Sequence, residues 1–104
     1  MAEHFTYDER LGINIPTLAF DWEEYDIATQ QVILDEWEKI RGHIPDRISE
    51  LEQLINQKQA ELENEANFKR SCQLNGEIAE LASVINDLWI WFRVNERITG
   101  KMHS

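Results

Sequence analysis

The stretch FKRSCQLNGEIAELASVINDLWIWFRVNERI, residues 68–98, decides the fold class. Within it Leu74, Ile78, Leu81, Ile85, Leu88 and Phe92 recur at intervals of four, three, four, three and four, the spacing of an apolar seam along one side of an α-helix. The spacing predicts a helix from about Phe68 to Ile98, stopped by Gly100. Immediately upstream, Ile48, Leu51, Leu54, Ile55 and Leu62 form a second stripe and predict a helix over about 45–64. Pro45 sits in its first turn, where a missing amide proton costs nothing, and Asp46 lies near the positive helix end. The polar break Asn64-Glu65-Ala66-Asn67 separates the two. Further upstream, Asp26 is an N-cap, Ile33, Leu34, Trp37 and Ile40 keep a helical period, and Gly42 is a stop, which predicts a shorter helix over about 27–41.

The first twenty residues carry Phe5, Tyr7, Leu11, Ile13, Ile15, Leu18 and Phe20 with no helical period, broken by Gly12 and Pro16. They predict an extended arm, residues 1–25, apolar enough to pack on something. The expected architecture is therefore all-α within a single domain, 1–104. It has a long antiparallel helical hairpin (45–64 and 68–98), a shorter N-terminal helix (27–41), an extended acidic arm and a tail over 99–104, forming a three-helix bundle or a dimeric helical bundle.

At 1.5 Å per residue the second helix is roughly 31 Å long and the third roughly 46 Å, so they cannot match end to end. With the turn near residue 66, Pro45 lies opposite Asp87, and Leu88-Trp89-Ile90-Trp91-Phe92 overhangs. Five consecutive apolar residues point all the way around a helix, so Ile90 and Trp91 cannot share the side that faces the partner helix. The cover must come from the first helix through Trp37 and Ile40, from the arm, or from a second copy of the chain. Trp37, Trp89, Ile90, Trp91 and Phe92 are accordingly the candidate interface residues.

Charge narrows the partners. Of the formal net charge of -10, residues 1–38 hold -9, with ten acids against the single base Arg10, and residues 39–104 hold -1. Such a chain lacks the clustered Lys and Arg that track a phosphate backbone or an anionic membrane, so neither nucleic acid nor membrane is expected. The hairpin is nearly neutral, and Arg93, Arg97 and Lys101 offer the acidic arm a basic landing site. The start Met-Ala-Glu-His-Phe-Thr-Tyr-Asp has neither a basic leader nor a long apolar run, and the single cysteine, Cys72, forms no internal disulfide; both features fit a cytoplasmic protein.

Chemistry-bearing residues are few. His4, His43 and His103 fall in arm, loop and tail without a paired ligand at zinc spacing, and the four glycines are isolated, so no phosphate-cradling loop arises. Cys72 has Lys69 and Arg70 nearby, but its position on a helix is that of an ordinary small residue. Glu77, Glu80 and Asp87 share one stripe beside the seam, and a solvated flank accounts for them. The segment Glu77-Ile-Ala-Glu80-Leu through Asn86-Asp87-Leu-Trp-Ile-Trp91 also resembles the helix of the MazG-like all-α nucleoside triphosphate pyrophosphohydrolases. That resemblance implies magnesium bound by Glu77, Glu80 and Asp87, although Val84 stands where the second acidic pair would place a carboxylate.

The hairpin from Leu51 to Leu81 is similar to the UVR motif, a short helical hairpin that serves as a protein–protein contact. Leu51-Glu52, Ile55 and Leu62 match its first helix, and Ser71-Cys72, Leu74 and Ile78 its second, with Asn75-Gly76 where Arg-Asp is usual. This resemblance implies a binding role. The sequence as a whole reads as a noncatalytic helical interaction or self-association module, with a protein partner or a second copy, no catalytic residues and no cofactor or metal. The alternatives are a metal-dependent nucleotide pyrophosphohydrolase and an acidic mimic of nucleic acid.

Overall fold

Each helix begins where the sequence supplies a cap. In a computed structural model, which describes residues 4–94, the Asp26 carboxylate accepts the Thr29 amide at 2.8 Å and opens α1 (Ile27–Gly42). Asn67 does the same for Arg70 at 3.0 Å and opens α3 (Phe68–Phe92). Between them α2 (Ile44–Glu63) carries Pro45 in its first turn. These bounds lie within a residue of the expected ones except at the end of α3, which stops where the seam's last apolar residue, Phe92, stands. Residues 95–98 of the expected extension and the tail over 99–104 lie outside the described residues.

The antiparallel pairing of α2 with α3 is marked by Arg70 with Glu61 at 3.6 Å and Lys58 with Glu77 at 2.9 Å. The same register carries on past the end of α2. Only His43 separates α1 from α2, and its φ of -92° and ψ of -8° keep it helical, so the chain bends there and does not reverse. Arg41 of α1 lies over the Phe92 ring of α3, 4.7 Å from its centroid. Sixteen and twenty residues of helix are roughly 24 and 30 Å, together close to the molecule's 60 Å long dimension. The overhang of α3 is thus covered by α1, lying beyond α2 along the same bent path. Trp37, fully buried, meets Trp91 edge to face at 5.9 Å.

The arm is extended and packed, as expected, and its first part is a strand pair, which was not expected. Phe5–Asp8 (β1) and Ile13–Pro16 (β2) pair antiparallel, with Phe5 opposite Pro16 and Asp8 opposite Ile13, and a 3-10 turn follows at Trp22–Glu24. A lone two-stranded ribbon is marginal in water. This one is held by burying Phe5, Leu11, Ile13 and Trp22 in the cluster formed by Ile33, Trp37, Ile44, Ile48, Leu51, Val84 and Leu88. Phe5 lies nearly parallel to Trp37, their rings 6.4 Å apart. The turn is locked locally: Gly12 donates to the Asp8 carbonyl at 2.7 Å and Leu11 to the Asp8 carboxylate at 2.9 Å. Gly12 has φ of +77°, and a Cβ there would stand 2.6 Å from Arg47 Nε, the group that donates to the Leu11 carbonyl at 3.0 Å. Leu74, also fully buried, lies outside this cluster, toward the far end of the hairpin.

Neither buried indole N–H, of Trp22 or of Trp37, has an acceptor among the described residues. The rings are held for bulk, so Trp37→Phe forfeits area but no hydrogen bond, whereas Trp37→Ala is expected to cost about 3–5 kcal/mol in urea unfolding. Gly12→Ala should lower stability by about 1–2 kcal/mol through its left-handed backbone. Gly76→Ala on α3, where a Cβ meets nothing within 4 Å, should raise it by about 0.5–1 kcal/mol.

Candidate functional site

The carboxylates that the magnesium reading would use are all engaged by cations. Arg10, in the turn between β1 and β2, donates from Nε to Glu80 at 2.9 Å, from Nη1 to Asp87 at 2.7 Å and from Nη2 to the Ser83 hydroxyl at 2.8 Å. One guanidinium so spans two turns of α3. Asp87 first and Glu80 second push the Arg10 pKa further up. Val84, where the pyrophosphohydrolase pattern wants an acid, is buried in the core with the strand pair. Glu77 accepts from Lys58 Nζ at 2.9 Å, and that bond holds its carboxyl below the usual range. On α1, Asp35 accepts from the Gln31 amide at 2.9 Å, and Glu38 is held low by its pair with Arg41, 2.6 Å away. Among the described residues no group of three or more His, Cys, Asp or Glu is placed to hold a metal ion.

Both partners of the Arg10 pairs are partly exposed, so screening keeps their contribution to stability small. Their effect is positional: the fork fixes where the strand pair lies along α3. The described ion pair between arm and helix thus runs from a base of the arm to acids of α3. The arm's only base lands on the acids of α3, while Arg93 is exposed without an ion pair among the described residues and Arg97 and Lys101 lie outside them.

The five aromatic and aliphatic candidates divide. Trp37 belongs to the core of the single chain and leaves no surface for a partner. Trp91, against Trp37, and Phe92, beneath Arg41, are partly buried against the same core. Trp89 and Ile90 each keep 40% of their surface exposed, with Trp89 edge to face on Phe92 at 5.5 Å. Phe68, at the other end of α3, is 81% exposed and was not among the sequence candidates, because it precedes the first residue of the seam. A shallow groove of about 470 Å³ runs between α2 and α3, lined by Glu52, Ile55, Asn56, Gln59, Ala82 and Ile85. Ala82 and Ile85 lie around α3 from the Arg10 contacts, and Glu52, Asn56 and Gln59 give the groove a polar side on α2. No helix among the described residues is long and apolar enough to cross a membrane.

Comparison with protein-family models, with curated proteins and with solved structures finds no match to this chain.

Arg10→Gln should speed amide exchange at Leu11 and Gly12 and leave the exchange of α2 unchanged, and added salt should mimic it in the wild type. The carboxyls of Asp26, through its bond from Thr29, of Glu38 and of Glu77 all sit below their usual range in the folded chain. The unfolded chain therefore takes up protons first on acidification. Their contribution is complete above the ordinary carboxylate range and drains away as the pH falls through that range into the lowered folded values. The urea midpoint should fall along this limb, and Glu77→Gln should flatten it.

Proposed function

We propose that the chain is a noncatalytic helical interaction module, acting in the cytoplasm, whose ligand is a protein partner or a second copy of itself. The observation that carries this reading is the exposure of Trp89 and Ile90 on the last turns of α3 while Leu88, Trp91 and Phe92 around them are taken up by the core. A large aromatic and a branched aliphatic side chain on a rigid, capped helix lose little conformational freedom on binding, and such residues are the usual anchors of helix-face recognition. The engagement of Glu77, Glu80 and Asp87 by Lys58 and Arg10 supports the noncatalytic side of the reading. Nucleic acid and membrane fit poorly with a chain of net charge -10.

Trp89→Glu and Ile90→Glu should keep the far-UV circular dichroism and urea midpoint of the wild type and lose the partner in a pull-down from native cytosol. Trp91→Glu should instead unfold the aromatic end, seen as a lowered midpoint. Retention of every partner by both exposed variants would sink the reading.

A further inference from the structure

α3 carries a second seam. Phe68, Cys72, Asn75, Ala79, Ala82, Asn86, Trp89 and Arg93 follow one another at intervals of four, three, four, three, four, three and four, and all eight are exposed. Each position from Asn75 onward lies one residue beyond the seam that faces α2, so the two stripes stand about 100° apart around the helix, the angle between the two neighbours of any helix in a four-helix bundle. The first stripe is filled by α2. The second is bare along roughly 37 Å of helix, bordered on one side by the groove of Ile55, Ala82 and Ile85.

We propose that a second copy of this chain occupies that stripe, α3 packing antiparallel on α3 about a two-fold axis between Ala79 and Ala82. The stripe is complementary to itself. An antiparallel pair about that axis places Ala79 opposite Ala82, Asn75 opposite Asn86, Cys72 opposite Trp89 and Phe68 opposite Arg93. Each pairing suits its chemistry. The alanines let the backbones approach at the axis, and the two amides bond each other and fix the register, as a single buried asparagine layer does in coiled coils. The indole is set against a small thiol, and Arg93, which has no ion pair among the described residues, meets the face of the exposed Phe68 ring. Residue i meeting j while j meets i is the condition for a closed dimer.

Charge favours the same strip. Two chains of net charge -10 repel, and this stripe holds no carboxylate from Phe68 to Arg93; the carboxylates of α3, Glu77, Glu80 and Asp87, lie on other sides of the helix and are paired with cations of their own chain, and Glu52 of α2 is the carboxylate across the groove from Ala82. The proposal rests on the interaction-module reading above and narrows it to self-association through a face that includes Trp89.

The test uses the full chain with Cys72→Ser as background. Asn75→Cys and Asn86→Cys together are expected to give a covalent dimer on mild oxidation, since one chain separates these positions by eleven residues of helix and only the partner brings them together. Either cysteine alone should cross-link far more slowly. Sedimentation equilibrium of the wild type should show a dimer, and Ala79→Glu, which sets two carboxylates by the axis and leaves Trp89 and Ile90 in place, should weaken it by about tenfold or more with circular dichroism unchanged. A monomeric wild type, or a double variant that cross-links no faster than the single ones, overturns the dimer. If the wild type is monomeric yet Trp89→Glu loses a different protein partner, the self-pairing falls and the module reading stands; if no partner is lost either, both fall.

Discussion

The Trp37 ring is where three elements that share little else are fixed to one another. It lies parallel to Phe5 of β1 and edge to face with Trp91 of α3, and no part of it reaches solvent. Without that ring α1 would keep Ile33 in the cluster and Arg41 over Phe92, but the overhanging turns of α3 would lose the side chain that covers Trp91. The mismatch in length between α2 and α3 is thus resolved by a bend, His43, and a plug, the strand pair, that meet at one side chain. Burial of such a residue contributes more than any of the surface ion pairs, whose main effect is to choose among near-equivalent placements.

The helices were legible because their signals are local. Asp26, Gly42, Pro45 and Asn64 to Asn67 mark ends through capping chemistry that acts within a turn, and the seam of α3 repeats often enough to be seen over chance. The strand pair was not legible, since four-residue strands offer only two positions per face, too few for an alternation to show. Its decisive contacts are also remote: Arg10 finds Glu80 and Asp87 seventy and seventy-seven positions on, and Arg47 fills the space that a side chain at position 12 would need. Five apolar residues in a row must diverge around α3, which is legible in the sequence and parts Trp91 from Ile90; which of the two is covered depends on where α1 lies, which is not. Val84, read as a missing ligand, is a core residue in the cluster that the arm shares with the three helices.

Electrostatics in this chain is arranged around scarcity of base. Ten acids precede residue 39 and one arginine stands among them, yet that arginine is turned away from its neighbours in sequence and toward α3. The consequence is an α3 whose carboxylates are neutralised at home and whose remaining surface is unusually free of charge for so acidic a protein.

The remote anchoring of the strand pair also fixes an order of events during synthesis. Residues 5–16 leave the ribosome well before the residues that hold them, Val84, Asp87 and Leu88, which come some seventy positions later. A free two-stranded ribbon has almost no stability of its own, whereas α2 and α3 are neighbours in the chain and close a short loop at small entropic cost. The strand pair must therefore wait, unpaired, until α3 is made. For that interval Phe5, Leu11 and Ile13 stand in water, so the half-made chain exposes apolar, strand-forming residues that the finished one buries.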